Sequence, residues 1–238
     1  MKIVIVGGVA GGMSAAARAR RLSEDAEIVV LERGEFVSFA NCGLPYHVGD
    51  EIPERSALLL QTPESLAAAL DLDVRLRHEV TGIDRERRRV HARRLGGPDD
   101  GPLTLDYDAL VLAPGATAVR PPIEGLDLPQ VQTLRTVPDA DRVRELVAAG
   151  ARRAVVLGAG FIGLEAAEAL RERGLEVDLV DLAPHVLPPL DAELAGLLDA
   201  ELRAHGVRTR VGVAAERVTA TGPVADEVDV QDGALDAG

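Results

Sequence analysis

The 238-residue sequence predicts an α/β protein made of two tandem parallel βαβ units, and three observations carry that reading. Short Ile- and Val-rich runs alternate with stretches of small residues at helical spacing. A glycine-rich turn stands at two of the strand-to-helix junctions, and an acidic residue closes the strand that follows each helix. The same grammar occurs twice, about 150 residues apart, which is too long a period for a solenoid.

Taken in order, residues 3–6 read as a buried strand, 11–22 as a helix with small residues on its inner face, and 26–31 as a second strand ending at Glu32. Residues 105–107 and 109–113 read as strands, and Pro114-Gly115 with Pro121-Pro122 marks a crossover and domain boundary. The second unit reads as strand 154–157, helix 160–173 and strand 176–180 ending at Asp181. The basic run over 85–94, beside the turn at 96–102, reads as a solvent-facing hairpin rim.

The first turn is Gly7-Gly8-Val9-Ala10-Gly11-Gly12, with Glu32 following Gly12 by 20 residues. Gly7 permits a tight turn, Gly12 permits close helix packing, and the helix N-terminus offers free N–H groups to a pyrophosphate. Glu32 would accept from a ribose hydroxyl. Val9 replaces the middle glycine of the usual pattern, so this motif alone also fits a plain glycine-rich turn. The second turn, Gly158-Ala159-Gly160-Phe161-Ile162-Gly163 with Asp181, is complete in spacing and context. The expected architecture is therefore two tandem Rossmann-like dinucleotide-binding folds. Asp181 would repel a 2′-phosphate, and Leu182-Ala183-Pro184 offers no Arg to neutralise one, so NADH is favoured over NADPH.

A net charge of −13 argues against nucleic acid and against an anionic membrane surface as partners, leaving small-molecule chemistry. Lys2 is the only lysine; the remaining basic residues are all Arg, a compositional habit rather than a binding signal. The opening apolar run reaches Gly7-Gly8 too soon to form a signal-peptide core, and no window approaches a membrane span. No metal site is expected. With a single cysteine and so no internal disulfide, a reducing cytoplasm is the expected compartment.

That cysteine, Cys42, lies between the two signatures in Ser38-Phe39-Ala40-Asn41-Cys42-Gly43-Leu44-Pro45-Tyr46. A lone cysteine is most often a small buried hydrophobe. Here Gly43 leaves the sulfur approachable, Asn41 and Ser38 are polar neighbours, and a helix beginning near Cys42 would favour its thiolate. His47 occupies the position where dithiol flavoenzymes carry a second cysteine, so any sulfur cycle would need an external partner.

Together with Thr62-Pro63-Glu64, His78-Glu79-Val80, Thr133-Leu134-Arg135 and Gly160-Phe161-Ile162-Gly163-Leu164-Glu165, these motifs resemble the single-cysteine branch of the pyridine nucleotide-disulfide oxidoreductases. The resemblance is closest to coenzyme A (CoA) disulfide reductases and related NADH oxidases. It implies an FAD-binding domain over 1–116 and an NAD(H)-binding domain over 117–238. By resemblance Gly7, Gly8, Gly12, Glu32, Arg33, Val80, Ala113 and Arg135 would bind FAD, and Gly158, Gly160, Phe161, Ile162, Gly163 and Asp181 would bind NADH. Cys42 would be the catalytic thiol. Ser14, Arg18, Arg21, Ser38 and Asn41 match CoA-contacting positions, although Arg18 and Arg21, one helical turn apart, also fit a solvated basic face.

The implied reaction carries electrons from NADH through FAD to a disulfide linked to Cys42, with CoA disulfide or a related small molecule as substrate. The alternatives are an NADH oxidase working through a Cys42 sulfenic acid and, from another class, an inactive nucleotide-binding fragment. Ala10 stands where such oxidases often show His, which favours the reductase. Three departures accompany the resemblance: Pro114 replaces a Thr, Ser65 to Leu70 offers no basic residue to CoA, and the sequence stops before the segment that would complete the FAD fold. The expectation is thus an incomplete FAD fold, an NAD(H) fold lacking its last strand, and no reach to the interface domain that makes full-length members homodimers.

Overall fold

The computed structural model describes residues 1–97, 101–220, 227–230 and 233–236. The tip of the expected turn, Pro98-Asp99-Asp100, lies outside the described residues, as do Asp232, Ala237 and Gly238 of the C-terminal stretch. The chain forms two compact units, Met1–Ala40 with Ser56–Thr117, and Asn41–Arg55 with the chain from Ala118 onward.

In chain order the first half comprises β1 (Lys2–Val6), α1 (Ala10–Leu22), β2 (Glu27–Leu31), α2 (Leu44–Gly49), α3 (Pro63–Leu70), β3 (Asp73–Arg75), β4 (His78–Asp84), β5 (Arg89–Arg94), β6 (Pro102–Asp106) and β7 (Ala109–Leu112). The second half comprises α4 (Val137–Ala148), β8 (Arg153–Leu157), α5 (Phe161–Glu172), β9 (Glu176–Asp181), α6 (Ala192–Ala204), β10 (Val207–Val211), β11 (Ala215–Thr219), β12 (Glu227–Val230) and β13 (Gly233–Asp236). Helix α2 belongs to the second unit although its chain neighbours belong to the first.

In the first unit a parallel sheet of order β3-β2-β1-β7 carries an antiparallel sheet of order β4-β5-β6. The side-chain period of two explains the layering. Ile3, Ile5, Ile28 and Val30 face one way, into a core with Met13 and Ala16 of α1 and Leu66 of α3. Val4, Val29 and Leu31 face the other way, onto Val90, Ala92 and Leu105 of the antiparallel sheet. Burial on both faces is why these strands read as continuous apolar runs. The basic run forms the β4–β5 turn and its flanks, where Arg87, Arg89 and Arg93 pair with Asp84, Asp106 and Glu79.

The second unit repeats the plan with a parallel sheet of order β10-β9-β8 and an antiparallel sheet of order β11-β12-β13. Val180 packs with Leu126, Val218 and Val228 between the two layers. Among the described residues β8 pairs with β9 alone, whereas β1 pairs with both β2 and β7. Threonine caps start α3 and α4: Thr62 and Thr136 each accept the N3 amide and each is followed by proline at N1/N2. No helix among the described residues is long and apolar enough to cross a membrane.

The arginines of α1 have unequal duties. Arg20 donates to Leu70 O at 2.8 Å, Asp71 O at 2.7 Å, Ser23 O at 3.3 Å and Glu24 O, joining the C-termini of α1 and α3. Arg18 and Arg21 are exposed. Arg20→Ala strands those carbonyls and is expected to cost about 2 kcal/mol, against no more than about 0.5 for Arg18→Ala or Arg21→Ala, as read by urea unfolding.

Candidate functional site

Each glycine turn is held by the acid that closes the following strand. In the first unit the Glu32 carboxylate accepts the Gly8 N–H at 2.6 Å on one oxygen and the Gly34 N–H at 2.6 Å on the other. In the second, the Asp181 carboxylate accepts the Ala159 N–H at 2.5 Å and the Ala183 N–H at 2.7 Å. Gly8 and Ala159 occupy the same place in the two turns, and Gly34 and Ala183 each follow the acid by two residues. The acid thus braces both the turn before the helix and the loop after its own strand.

The correspondence extends outward. The turn carbonyls of Gly8 and Ala159 accept from the N–H groups of Ser38 at 2.9 Å and Leu187 at 2.7 Å. Both donors have φ of 49°, the left-handed region that non-glycine residues rarely enter. The acids' own carbonyls accept from His78 and Val213, and the carbonyls of Gly34 and Ala183 accept from Arg77 and Gly212, two further residues of positive φ.

The outer glycines are fixed by contact. Gly7 has φ of 99°, and a Cβ there would lie 2.0 Å from Ala113 O; a Cβ at Gly12 would lie 1.8 Å from Gly7 O. Gly158 has φ of 109°, and a Cβ at Gly163 would lie 1.8 Å from Gly158 O. The last glycine therefore clears the turn's own carbonyl more than it clears the sheet. The middle position differs: a Cβ at Gly160 would meet nothing within 4 Å. Its counterpart Val9 caps α1 with φ of −105°, so the turn forms without a glycine there.

This arrangement fits a dinucleotide in both turns. Open ground at Gly160, and at exposed Ala10 and Gly11, lies before N-terminal amides that no side chain caps. Each carboxylate oxygen takes one amide and keeps a lone pair. Phe161 and Ile162 open α5 at 67% and 52% exposure, so they are not core residues, and Leu182 beside Asp181 is 71% exposed.

The other expected residues fall as follows. Ala113 borders the first turn, its N–H on Val6 O at 2.8 Å. Val80 packs against the Val4–Val90 core layer, and Arg33 is exposed directly after Glu32. Arg135 precedes α4 in the second unit, where its N–H meets the buried Asp139 carboxylate at 3.1 Å. Ser14, Arg18 and Arg21 form an exposed i, i+4, i+7 stripe on α1. Asn41 and Cys42 share a 3₁₀ turn over Asn41–Gly43, directly before α2, and the Cys42 thiol is free and exposed. Cys42 is therefore not the small buried hydrophobe that a lone cysteine most often is. Sequence reasoning missed Gly34 and Ala183; an acid followed two residues later by a small residue is the turn signal that marks them.

A chain with two carboxylate-braced glycine turns and an exposed cysteine belongs to a definable class. Residues 1–236 match the pyridine nucleotide-disulphide oxidoreductase family, and the chain belongs to it. Among curated relatives it is 35% identical over 211 residues to a CoA disulfide reductase of Staphylococcus haemolyticus, covering 88% of this chain and 47% of that one. It is 31% identical over 220 residues to an NADH oxidase of Methanocaldococcus jannaschii, covering 92% and 48%. The chain thus spans about half the length of the curated relatives it matches. Among solved structures, reduced Bacillus anthracis CoADR-RHD superposes with a TM-score of 0.94 at 41% identity, over 100% of this chain and 42% of that one. The water-forming NADH oxidase of Lactobacillus brevis, bound to NADH, gives 0.92 at 29%, over 99% and 52%. An engineered NADPH oxidase made from it, bound to NADPH, gives 0.92 at 28%, over 100% and 52%; its five substitutions include Asp to Ala and two changes to Arg.

Gly163→Ala is expected to destabilise the second unit by about 2–4 kcal/mol, because backbone rather than a yielding side chain meets the new methyl. Gly160→Ala is expected to leave thermal unfolding nearly unchanged while weakening nucleotide binding. Thermal denaturation and a fluorescence titration with NADH on the two variants check this pair.

Proposed function

We propose that this chain forms the nucleotide-binding and thiol-bearing part of an FAD-dependent reductase that consumes NADH and reduces a small-molecule disulfide, CoA disulfide above all. The observation that carries the reading is the only cysteine, exposed, on a segment outside the duplicated nucleotide-binding plan.

The first turn, with Gly7, Gly8, Gly12 and Glu32, is proposed to hold FAD, assisted by Arg33, Val80, Ala113 and Arg135. The second, with Gly158, Gly160, Phe161, Ile162, Gly163 and Asp181, is proposed to hold NADH. Bound FAD would supply a two-electron relay from NADH to sulfur. Cys42 attacks one sulfur of the disulfide, the S–S bond breaks, and one CoA thiolate leaves and takes up a proton. Two electrons from NADH then cleave the Cys42–CoA bond, so that one NADH, one proton and one disulfide give NAD⁺ and two CoA thiols. Ser14, Arg18, Arg21, Ser38 and Asn41 are proposed to contact CoA, the exposed guanidinium groups of Arg18 and Arg21 suiting its phosphates. The proposed setting is a reducing cytoplasm, where a thiol persists.

Oxygen is the second acceptor to weigh, since one curated relative is named NADH oxidase. In that reading Cys42 would cycle through a sulfenic acid. Ala10, exposed at the first position of α1, offers no imidazole there, which supports the disulfide.

NADH is expected to bind at least about tenfold more tightly than NADPH, roughly 1.4 kcal/mol, because Asp181 faces any 2′-phosphate with no arginine in the loop after it. The engineered oxidase that binds NADPH lost an aspartate and gained two arginines, which supports this. Asp181→Ala combined with Leu182→Arg should narrow or reverse the preference in parallel titrations. Equal affinities in the unaltered chain would refute it.

Cys42→Ser is expected to abolish NADH-dependent CoA-disulfide reduction while NADH still bleaches bound flavin at an unchanged rate. Stopped-flow absorbance separates the two steps, and loss of flavin bleaching would assign Cys42 a structural role instead.

A further inference from the structure

Comparison of the two units isolates the segment that carries Cys42. In the second unit three residues, Pro188 to Leu190, separate left-handed Leu187 from the α6 cap Asp191. In the first, left-handed Ser38 and the α3 cap Thr62 are separated by residues 39–61. The neck of this excursion is closed within its own unit by the Phe39–Leu59 bridge and by Ala40 N–H on Leu58 O at 2.9 Å. Beyond the neck, Asn41–Arg55 belongs to the second unit. The excursion has no counterpart in the second unit, so the bonds that anchor it are not part of the duplicated plan.

Three arginines of the second unit make those bonds. Arg144 of α4 donates to His47 O and, at 2.9 Å, to Asp50 Oδ1. Arg173, which caps α5, donates to Val48 O at 3.4 Å and lies 3.9 Å from the same Asp50 oxygen. Arg55 is bidentate on Asp141 of α4, with contacts of 2.8–2.9 Å. Asp50 closes α2 in the left-handed region, φ 75°, where Asp is better tolerated than most residues. The His47 carbonyl, which also accepts the Asp50 N–H at 3.3 Å, and the Val48 carbonyl thus each meet a guanidinium group at the C-terminal end of α2, and one carboxylate ties both. The Arg144 hydrogen bond holds the Asp50 carboxyl below the usual carboxylate range, so the tie is charged at neutral pH.

Apolar packing and an internal brace complete the anchor. A Cβ at Gly49 would lie 3.3 Å from Ala169 Cα, so α2 rests closely on α5. His47 is 2% exposed, and its Nδ1 donates to Ile52 O at 2.6 Å, since a carbonyl only accepts. Leu44, Pro45 and Val48 are buried while Cys42 stays exposed. Helix α5 thus carries Phe161, Ile162 and Gly163 at one end and holds the cysteine's helix near its other, about 18 Å along its axis.

Resting on the reading of Cys42 as the redox thiol, we propose that Asp50, Arg144 and Arg173 are positioning residues that fix the Cys42-bearing segment on α4 and α5. They act through the placement of α2 and touch no substrate. Surface ion pairs add little stability, so loss of the tie should misplace the thiol more than it unfolds the unit. A displacement of about 1 Å at a reacting group can cost up to about a hundredfold in rate.

The test uses the sole cysteine. A nitroxide label on Cys42 is expected to be motionally restricted in the unaltered chain and markedly freer in Asp50→Ala and Arg144→Ala. Asp50→Asn, which tolerates the same backbone, and Arg144→Lys, which keeps the charge without the fork, should fall between. In unlabelled, FAD-loaded protein, kcat for CoA-disulfide reduction should drop at least about tenfold in the two alanine variants. KM for NADH should stay within about twofold and the rate of flavin bleaching should not change. Label mobility equal to that of the unaltered chain in both alanine variants, with unchanged thermal unfolding, overturns the proposal. If the unaltered protein reduces no CoA disulfide, the functional reading fails on its own, and label mobility still decides the clamp.

Discussion

The fold turns on one carboxylate in each unit and the two amides it accepts. Glu32 and Asp181 stand where the second strand of a parallel sheet ends, and each spans from the glycine turn to the loop beyond its own strand. Backbone N–H groups at such junctions have no ladder to join and must be satisfied locally. A charged acceptor does this with bonds about twice as strong as neutral ones. It also sets the geometry around it: the turn carbonyl faces a left-handed residue, Ser38 or Leu187, and the acid's carbonyl receives the chain as it enters the antiparallel sheet. An aspartate makes the same pair of bonds as a glutamate, and each acid is followed five residues later by a buried valine, Val37 or Val186.

Much of this plan was legible because parallel strands buried on both faces are written as unbroken Ile/Val runs, and because glycine at Gly7 and Gly12 answers to hard contacts with Ala113 O and Gly7 O. Most strand ends shifted by a residue, as at Leu112, where Ala113 leaves the β7 ladder to border the first turn, but β6 begins at Pro102, three residues before the expected strand at 105–107. The elements α3, α4, α6, β3, β10, β11, β12 and β13 went unread for a different reason. Their strands are short and carry charged residues, as with Arg208 and Arg210 in Val207–Val211 or Glu216 and Arg217 in Ala215–Thr219, and their helices mix polar with apolar residues on faces that only the sheet defines. Val9 illustrates the limit of motif reading: the absent glycine weakens the pattern on paper, yet α1 still starts there at φ −105°, ψ −117°, against −79° and −174° at Gly160.

The thiol follows a different logic. Residues 39–61 have no counterpart in the second unit, and within them the cysteine is exposed while the helix behind it is buried. Sequence order assigns this stretch to the first unit, but its hydrogen bonds assign Asn41–Arg55 to the second, since Arg144 and Arg173 lie about 100 residues or more away and nothing local reveals them as partners. Arg20 shows the same blindness on a smaller scale, being indistinguishable in composition from Arg18 and Arg21 until Leu70 O and Asp71 O are seen in front of it. The glycine turns are thus readable from spacing, whereas the placement of the cysteine depends on long-range contacts.

Two turns of one design are proposed to serve two different dinucleotides. Isothermal titration of the chain with FAD, and then of the FAD-saturated chain with NADH, tests it directly. The account predicts about one site for each nucleotide, with FAD occupancy leaving the NADH site open and Asp181→Asn weakening only the second titration. Competition of the two nucleotides for a single site, or failure of either to bind, would contradict it.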